Sequence, residues 1–260
     1  EDPVLWVRDT QGIEPDPWQA QLLRSTTPEI IINCCRQSGK TRMAGTKAAH
    51  FARYNPGSMT LIASHTQKQA TLVQRWVADV TRAANLPGDY SIREKEVELP
   101  ADDLTGGGGR TVARSVMSLE LDNGSRVESV PANPDTVRGY SPNLLIIDEA
   151  AYVPDVLYDA IRPMRLKTRA QLILLSSAGF KRGFFYDEWE GGDPAWERIQ
   201  VTADDVSWVD EEFLGREREK LSSEAFFRRE YYCEFMDVEG GLFSREQIES
   251  MFGDEGAEEM

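Results

Sequence analysis

A chain of 260 residues is long enough for one large α/β domain, or for one domain with a small appendage, and 40% hydrophobic residues suffice for a real core. No run approaches the roughly 20 unbroken apolar residues that cross a bilayer. The acidic start, Glu1-Asp2-Pro3, lacks the basic and apolar blocks of a signal peptide. A net charge of −15 excludes a protein that simply coats nucleic acid through a basic face, although one patch can oppose the global sign. Three cysteines, two of them adjacent, make no disulfide framework, and two isolated histidines make no zinc spacing. A soluble protein of a reducing compartment is expected.

Residues 1–17 mix Pro, Asp and Gly and read as a lead-in arm. Asp16 as N-cap and Pro17 at the first helical position then open a short amphipathic helix through Trp18 to Leu23. Ile30-Ile31-Ile32-Asn33-Cys34 is a β-branched apolar run, the signature of a buried parallel strand. It feeds a polar turn and a helix from Lys40 to about Tyr54. Met59 to Ala63 predicts a second buried strand, and Val73, Trp76, Val77 and Val80 give the next helix its apolar stripe. From Pro87 to Arg110 periodicity is lost, and Thr105 to Arg110, with four glycines in a row, reads as a loop. Val116 to Val130 alternates around Asp122-Asn123-Gly124, a hairpin signal. Leu144 to Ile147 and Leu172 to Leu175 predict two more buried strands, Arg198 to Val201 an extended stretch, and Asp210 to Tyr232 two charged helices. Gly253 to Met260 is an acidic tail without a core signal. Strands alternating with helices imply a mostly parallel sheet covered on both faces.

The chemistry concentrates in Cys34-Cys35-Arg36-Gln37-Ser38-Gly39-Lys40-Thr41, placed between a predicted strand and a predicted helix. A P-loop requires Gly, four residues, then Gly-Lys-Ser/Thr in that setting; here Cys34 stands at the first glycine position. Gly39 admits close backbone approach to phosphates, and the N–H groups of Ser38 to Thr41 would form an anion nest at the helix N-terminus. Lys40 would reach the β- and γ-phosphates and the Thr41 hydroxyl would ligate Mg²⁺. A second motif supports the first: Leu144-Leu145-Ile146-Ile147 runs into Asp148-Glu149 at the carboxyl edge of the sheet, where open α/β folds bind ligands. Asp148 would hold the magnesium and Glu149 would polarise the attacking water. The expected fold is therefore an α/β P-loop NTPase of the RecA/ASCE kind, with a β-hairpin insertion.

Further segments resemble the large terminase subunits of tailed phages and related viruses, the ATPases that pump DNA into procapsids. Pro17-Trp18-Gln19 is similar to their adenine-recognition motif, which implies that Gln19, with Trp18, reads the base of ATP. Cys35 to Thr41 is similar to their variant P-loop, which often lacks the first glycine and carries an internal arginine, here Arg36. Val137-Arg138-Gly139-Tyr140 resembles an Arg-Gly signature; Arg36 and Arg138 are thereby implied as sensor and trans finger, in an open order. Leu174-Leu175-Ser176-Ser177-Ala178-Gly179 looks like the coupling motif. Arg110, Arg114, Arg126 and Lys181-Arg182 are candidate DNA contacts, and surface or subunit contacts would suit them equally.

The resemblance divides the chain into an arm at 1–17, a P-loop ATPase domain at 18–238, and a linker and acidic tail at 239–260. Gly240 to Ser244 looks like the junction toward a nuclease domain, and no nuclease activity is expected of this chain. Implied partners are double-stranded DNA, bound weakly by this domain alone, the portal of the procapsid, the small terminase subunit and further copies in a ring, a pentamer by resemblance, in the host cytoplasm with no membrane. A helicase-like translocase and a non-hydrolysing, ATP-dependent adaptor are the competing functions. The first would need a second motor domain, and the second would not need a poised base at Glu149.

Overall fold

Apolar runs without alternation should bury both sides of a strand, and they do. The protein's structure, a computed structural model, describes residues 1–84, 92–99 and 114–237. Its first half runs α1 (Pro3–Gln11), α2 (Pro17–Arg24), β1 (Glu29–Cys34), α3 (Lys40–Tyr54), β2 (Met59–Ser64), α4 (Gln67–Ala83), β3 (Ile92–Leu99), β4 (Arg114–Leu121) and β5 (Arg126–Pro131). The second half runs α5 (Pro134–Val137), β6 (Leu144–Asp148), α6 (Asp155–Ile161), β7 (Gln171–Ser176), α7 (Phe184–Glu190), β8 (Trp196–Val201), α8 (Glu211–Lys220) and α9 (Glu224–Tyr232). The strands form one sheet in the order β3-β4-β5-β2-β6-β7-β1-β8. From β5 to β8 every neighbouring pair is parallel. At the other edge β3, β4 and β5 form an antiparallel meander.

Alternate residues of each central strand serve opposite cores. Ile30, Ile32, Ile146 and Leu175 face α1 to α4, where Trp6, Leu22, Met43 and Val77 cover them. Ile31, Ile147 and Leu174 face α6 and α7, packed by Leu157, Ile161 and Phe185. The two late helices keep a smaller cluster of their own around Leu214 and Phe227.

Two expectations are corrected. Residues 3–11 are helical rather than an arm: the Asp2 carboxylate accepts from the Val4 N–H at 2.8 Å, Pro3 sits in the first turn, and left-handed Gly12 ends the helix at φ 64. Val4, Trp6 and Val7 are buried, so this helix belongs to the core. The same Pro, Asp and Gly that suggested irregular chain are its caps. Secondly, the stretch from Pro87 to Arg110, expected to lack regular structure, contains β3. Ile92-Arg93-Glu94-Lys95-Glu96-Val97-Glu98-Leu99 is mostly charged and carries no buried-strand signal, but it pairs along its whole length with β4. The glycine-rich run at 105–110 and the linker and tail at 239–260 lie outside the described residues.

The hairpin forms where its turn chemistry places it, with Gly124 left-handed at φ 82 and Leu121 N–H bonded to the Ser125 carbonyl at 2.9 Å. It is continuous with the main sheet, because β5 pairs with β2.

Helix α4 reaches α3 closely because residue 45 lacks a side chain: a Cβ on Gly45 would lie 3.2 Å from Trp76 Cβ and 3.4 Å from the Val77 nitrogen. Gly45→Val should therefore destabilise the fold by about 1–3 kcal/mol in urea denaturation. A loss below about 0.5 kcal/mol would show that α4 gives way freely.

Candidate active site

Strand β1 ends in two buried thiols. Burial pushes Cys34 up to about 12 and Cys35 up to about 11, so both remain protonated and act as packing groups. Cys34 thus fills the place of the first P-loop glycine as a neutral core residue. The chain then curls, with Gln37 at φ 58 and Gly39 at φ 85. Left-handed residues in such a turn bring successive N–H groups to one side, the geometry of an anion nest.

Lys40 opens α3 and is 8% exposed. Its Nζ lies 3.1 Å from Glu149 Oε1. Burial alone would lower its pKa, but the charges of Glu149 and Asp148 outweigh that and hold it above the usual lysine value. The Thr41 hydroxyl donates to Asp148 Oδ2 at 3.2 Å. Asp148, the last residue of β6, is 1% exposed. Burial first, then the neighbouring Glu149 charge, pushes its carboxyl up to about 7.

Glu149 leaves the strand in a left-handed conformation at φ 57, uncommon for a residue with a side chain. Its Oε2 accepts a hydrogen bond from the Ser176 hydroxyl at 3.4 Å. Strand β7 runs between β6 and β1, with Ser176 in register with Asn33 and Leu175 with Asp148. The serine expected in the coupling motif therefore stands between the P-loop strand and the acidic pair.

A hydroxyl and a carboxylate are hard oxygen donors that suit a small divalent cation. Asp148 Oδ1 and Ser38 Oγ are buried without a protein hydrogen-bond partner; a cation suits the carboxylate oxygen, and the serine hydroxyl can donate to an anionic oxygen. Lys40 and Thr41 line a cavity of about 500 Å³ together with Gln37, Gly39, Arg42, Trp76 and Trp208.

Trp18, Gln19, Arg36 and Arg138 are not among the residues that line this cavity. Trp18 is buried in the core. Gln19 is 4% exposed; its Oε1 accepts from the Asp16 N–H at 3.0 Å. Its Nε2 lies 3.7 Å from where a Cβ on Gly39 would be, on the same side of that glycine as Trp208, and Gln19 is not in the cavity lining. Arg36 is turned to α9: its guanidinium pairs with Glu230, and its N–H donates to the Glu230 carbonyl at 2.9 Å. Arg138 is exposed on the turn after α5, where Gly139 takes φ 94, and it does not line the Lys40 cavity. Of the DNA candidates, Arg126 lies 3.7 Å from Glu128 and Lys181 lies 3.1 Å from Asp237. Arg110 is outside the described residues. Sequence reading missed Arg42, Trp76 and Trp208 as cavity walls; Arg42, directly after Gly39-Lys40-Thr41, carried a positional hint, and Trp208 none.

A carboxyl whose folded pKa is raised costs stability above that pKa and nothing below its ordinary value of 3.8. In metal-free buffer at pH 8, Asp148→Asn should therefore stabilise the fold by about 1–3 kcal/mol in denaturant titrations. The advantage should shrink toward pH 4. An Asn variant less stable than wild type at pH 8 would contradict the buried like-charge pair.

Comparison with known proteins assigns the chain. The family described as "Terminase large subunit, T4likevirus-type, N-terminal" matches residues 31–250. Curated large terminase subunits of Thermus virus P23-45 and Thermus phage G20c are 27% and 26% identical over 254 residues. Each alignment covers 90% of this chain and 51% of the relative, so the chain spans about half the length of the curated relatives it matches. Among solved structures, the Thermus phage P74-26 large terminase ATPase domain superposes with a TM-score of 0.71 at 24% identity, covering 91% of this chain and 100% of that one. The HK97 bacteriophage large terminase gives 0.59 at 17% identity, covering 88% and 50%. The sheet is thus that of the P-loop ATPases of this group. With a match over residues 31–250, this chain belongs to the terminase large subunit family, as its N-terminal part.

Proposed function

We propose that this chain is an ATP-hydrolysing motor that drives double-stranded DNA into a procapsid. The observation that carries the reading is the convergence of two distant segments. Lys40 and Thr41 of the loop meet Glu149 and Asp148 of β6 at 3.1 and 3.2 Å. A large terminase of a thermophilic bacteriophage has been solved in complex with ADP and with ATP-gamma-S, which supports a nucleotide as the ligand.

In this reading the loop N–H groups and Lys40 bind the β- and γ-phosphates, and Gln19 and Trp18 support the loop near the base. Thr41 and Asp148 would hold Mg²⁺, which when bound would neutralise charge building on the phosphate oxygens. Glu149 orients the attacking water and accepts its proton, while Ser176 fixes one of its oxygens. Arg138, exposed and outside the cavity of its own chain, serves a neighbouring copy, where a trans arginine is worth roughly 10³–10⁵ in rate. Arg36, tied to α9, acts as the sensor. Functionally, residues 3–11 belong with the motor at 18–238.

The wider setting is proposed on the family's ground: DNA, the portal, the small subunit and a ring of copies, with a pentamer favoured, in the host cytoplasm. No helix among the described residues is long and apolar enough to cross a membrane. No DNA cleavage is proposed for this chain.

Glu149→Gln should bind ATP with near-wild-type affinity and release phosphate about 10²–10⁴ times more slowly. Unchanged turnover would remove Glu149 as the base. Doping Arg138→Ala subunits into wild type should depress activity more steeply than the mixing fraction. A strictly linear loss would rule out a shared site.

A further inference from the structure

Trp208 is 56% exposed, an uneconomical place for a large indole unless something covers it. Its position is nevertheless built. Val206, 3% exposed, anchors the segment. The Val209 N–H bonds back to the Val206 carbonyl at 3.1 Å, so Ser207 and Trp208 form the tip of a tight turn. The Ser207 N–H reaches the Asp16 carboxylate at 3.5 Å, which ties that turn to the start of α2. The indole edge lies over the P-loop, 3.5 Å from where a Cβ on Gly39 would stand.

A second flat group lines the same cavity. The Arg42 guanidinium sits over Trp76, 5.5 Å from the ring centroid. Gln11 of α1 holds that guanidinium in place through its Oε1 at 2.9 Å. That cavity is the one that contains Gly39, Lys40 and Thr41. Trp208, Arg42 and Trp76 thus share one cavity of about 500 Å³ with the loop residues that would hold phosphates.

We propose that this slot, between Trp208 and the Arg42–Trp76 pair, receives the purine base of the bound nucleotide by stacking. The proposal rests on the nucleotide reading above and adds to it a base subsite formed by residues outside the phosphate loop's own binding groups. Indole and guanidinium planes both accept a purine face, and stacking a base on an aromatic side chain is favourable whatever the base's hydrogen-bonding edge. Gln19, whose carboxamide oxygen already caps α2, has its Nε2 on the same side of Gly39 as the Trp208 indole.

The test compares two ligands that share phosphates and differ in the base. Equilibrium binding of ATP and of inorganic tripolyphosphate, each with Mg²⁺, is measured on the full chain as wild type, Trp208→Ala and Trp208→Phe. Trp208→Ala should weaken ATP about tenfold and leave tripolyphosphate within about twofold, while Trp208→Phe keeps most of the ATP affinity. ATP binding unaffected by Trp208→Ala, or both ligands weakened alike, would overturn the base subsite while leaving the phosphate site standing. A wild-type chain that binds neither ligand would sink the phosphate reading itself.

Discussion

Beside the P-loop, one ammonium is held against two adjacent carboxylates in a largely buried cluster. Lys40 meets Glu149 directly, and Asp148 lies beside them on the hydroxyl of Thr41. Burying a carboxylate is costly, and a neighbouring like charge adds to that cost; the raised pKa of Asp148 registers burial first and Glu149 second. One positive charge cannot balance two negative ones, so the pocket retains a demand for a further cation. Thr41 and the free Oδ1 of Asp148 supply oxygen ligands where that demand is greatest. Much of the surrounding architecture keeps this unfavourable cluster from relaxing.

The sheet does so first. Strand β7 separates β1 from β6, so the loop and the acidic pair approach at a spacing fixed by two sets of parallel ladder bonds. Ser176 leaves β7 at the level where it can hold Glu149. The late helices reinforce the loop from its other side: Asn33 donates to the Cys233 carbonyl at 2.9 Å, and Arg36 is bound to Glu230 through backbone and side chain. Helix α1 supports the cavity wall through Gln11 and Arg42. A shift of α8 and α9 would therefore be felt at Arg36 and the loop without passing through the sheet.

The central layer was legible because its signals are local. Runs such as Ile30-Ile31-Ile32 and Leu144-Leu145-Ile146-Ile147 declare strands buried on both faces, and Gly39-Lys40-Thr41 and Asp148-Glu149 follow such strands directly. What escaped depends on partners distant in sequence. Charged β3 is a strand through its pairing with β4, and α1 through burial of Trp6 and Val7 beneath caps that resemble loop punctuation. Arg36 is implied as sensor or trans finger by the loop's resemblance, yet Glu230 of α9, almost 200 residues away, engages it. Trp208 lies in a turn without any motif and becomes noticeable once the fold sets it over Gly39.

The central claim is that the Lys40–Glu149–Asp148 cluster binds and hydrolyses a metal–triphosphate. Steady-state phosphate release from ATP, with and without Mg²⁺, on wild type and Lys40→Ala tests it most directly. The account predicts Mg²⁺-dependent release by wild type and a loss of about 10²-fold or more in Lys40→Ala. Release that ignores both the metal and the lysine, or a wild-type chain that binds ATP and never turns it over, would contradict it.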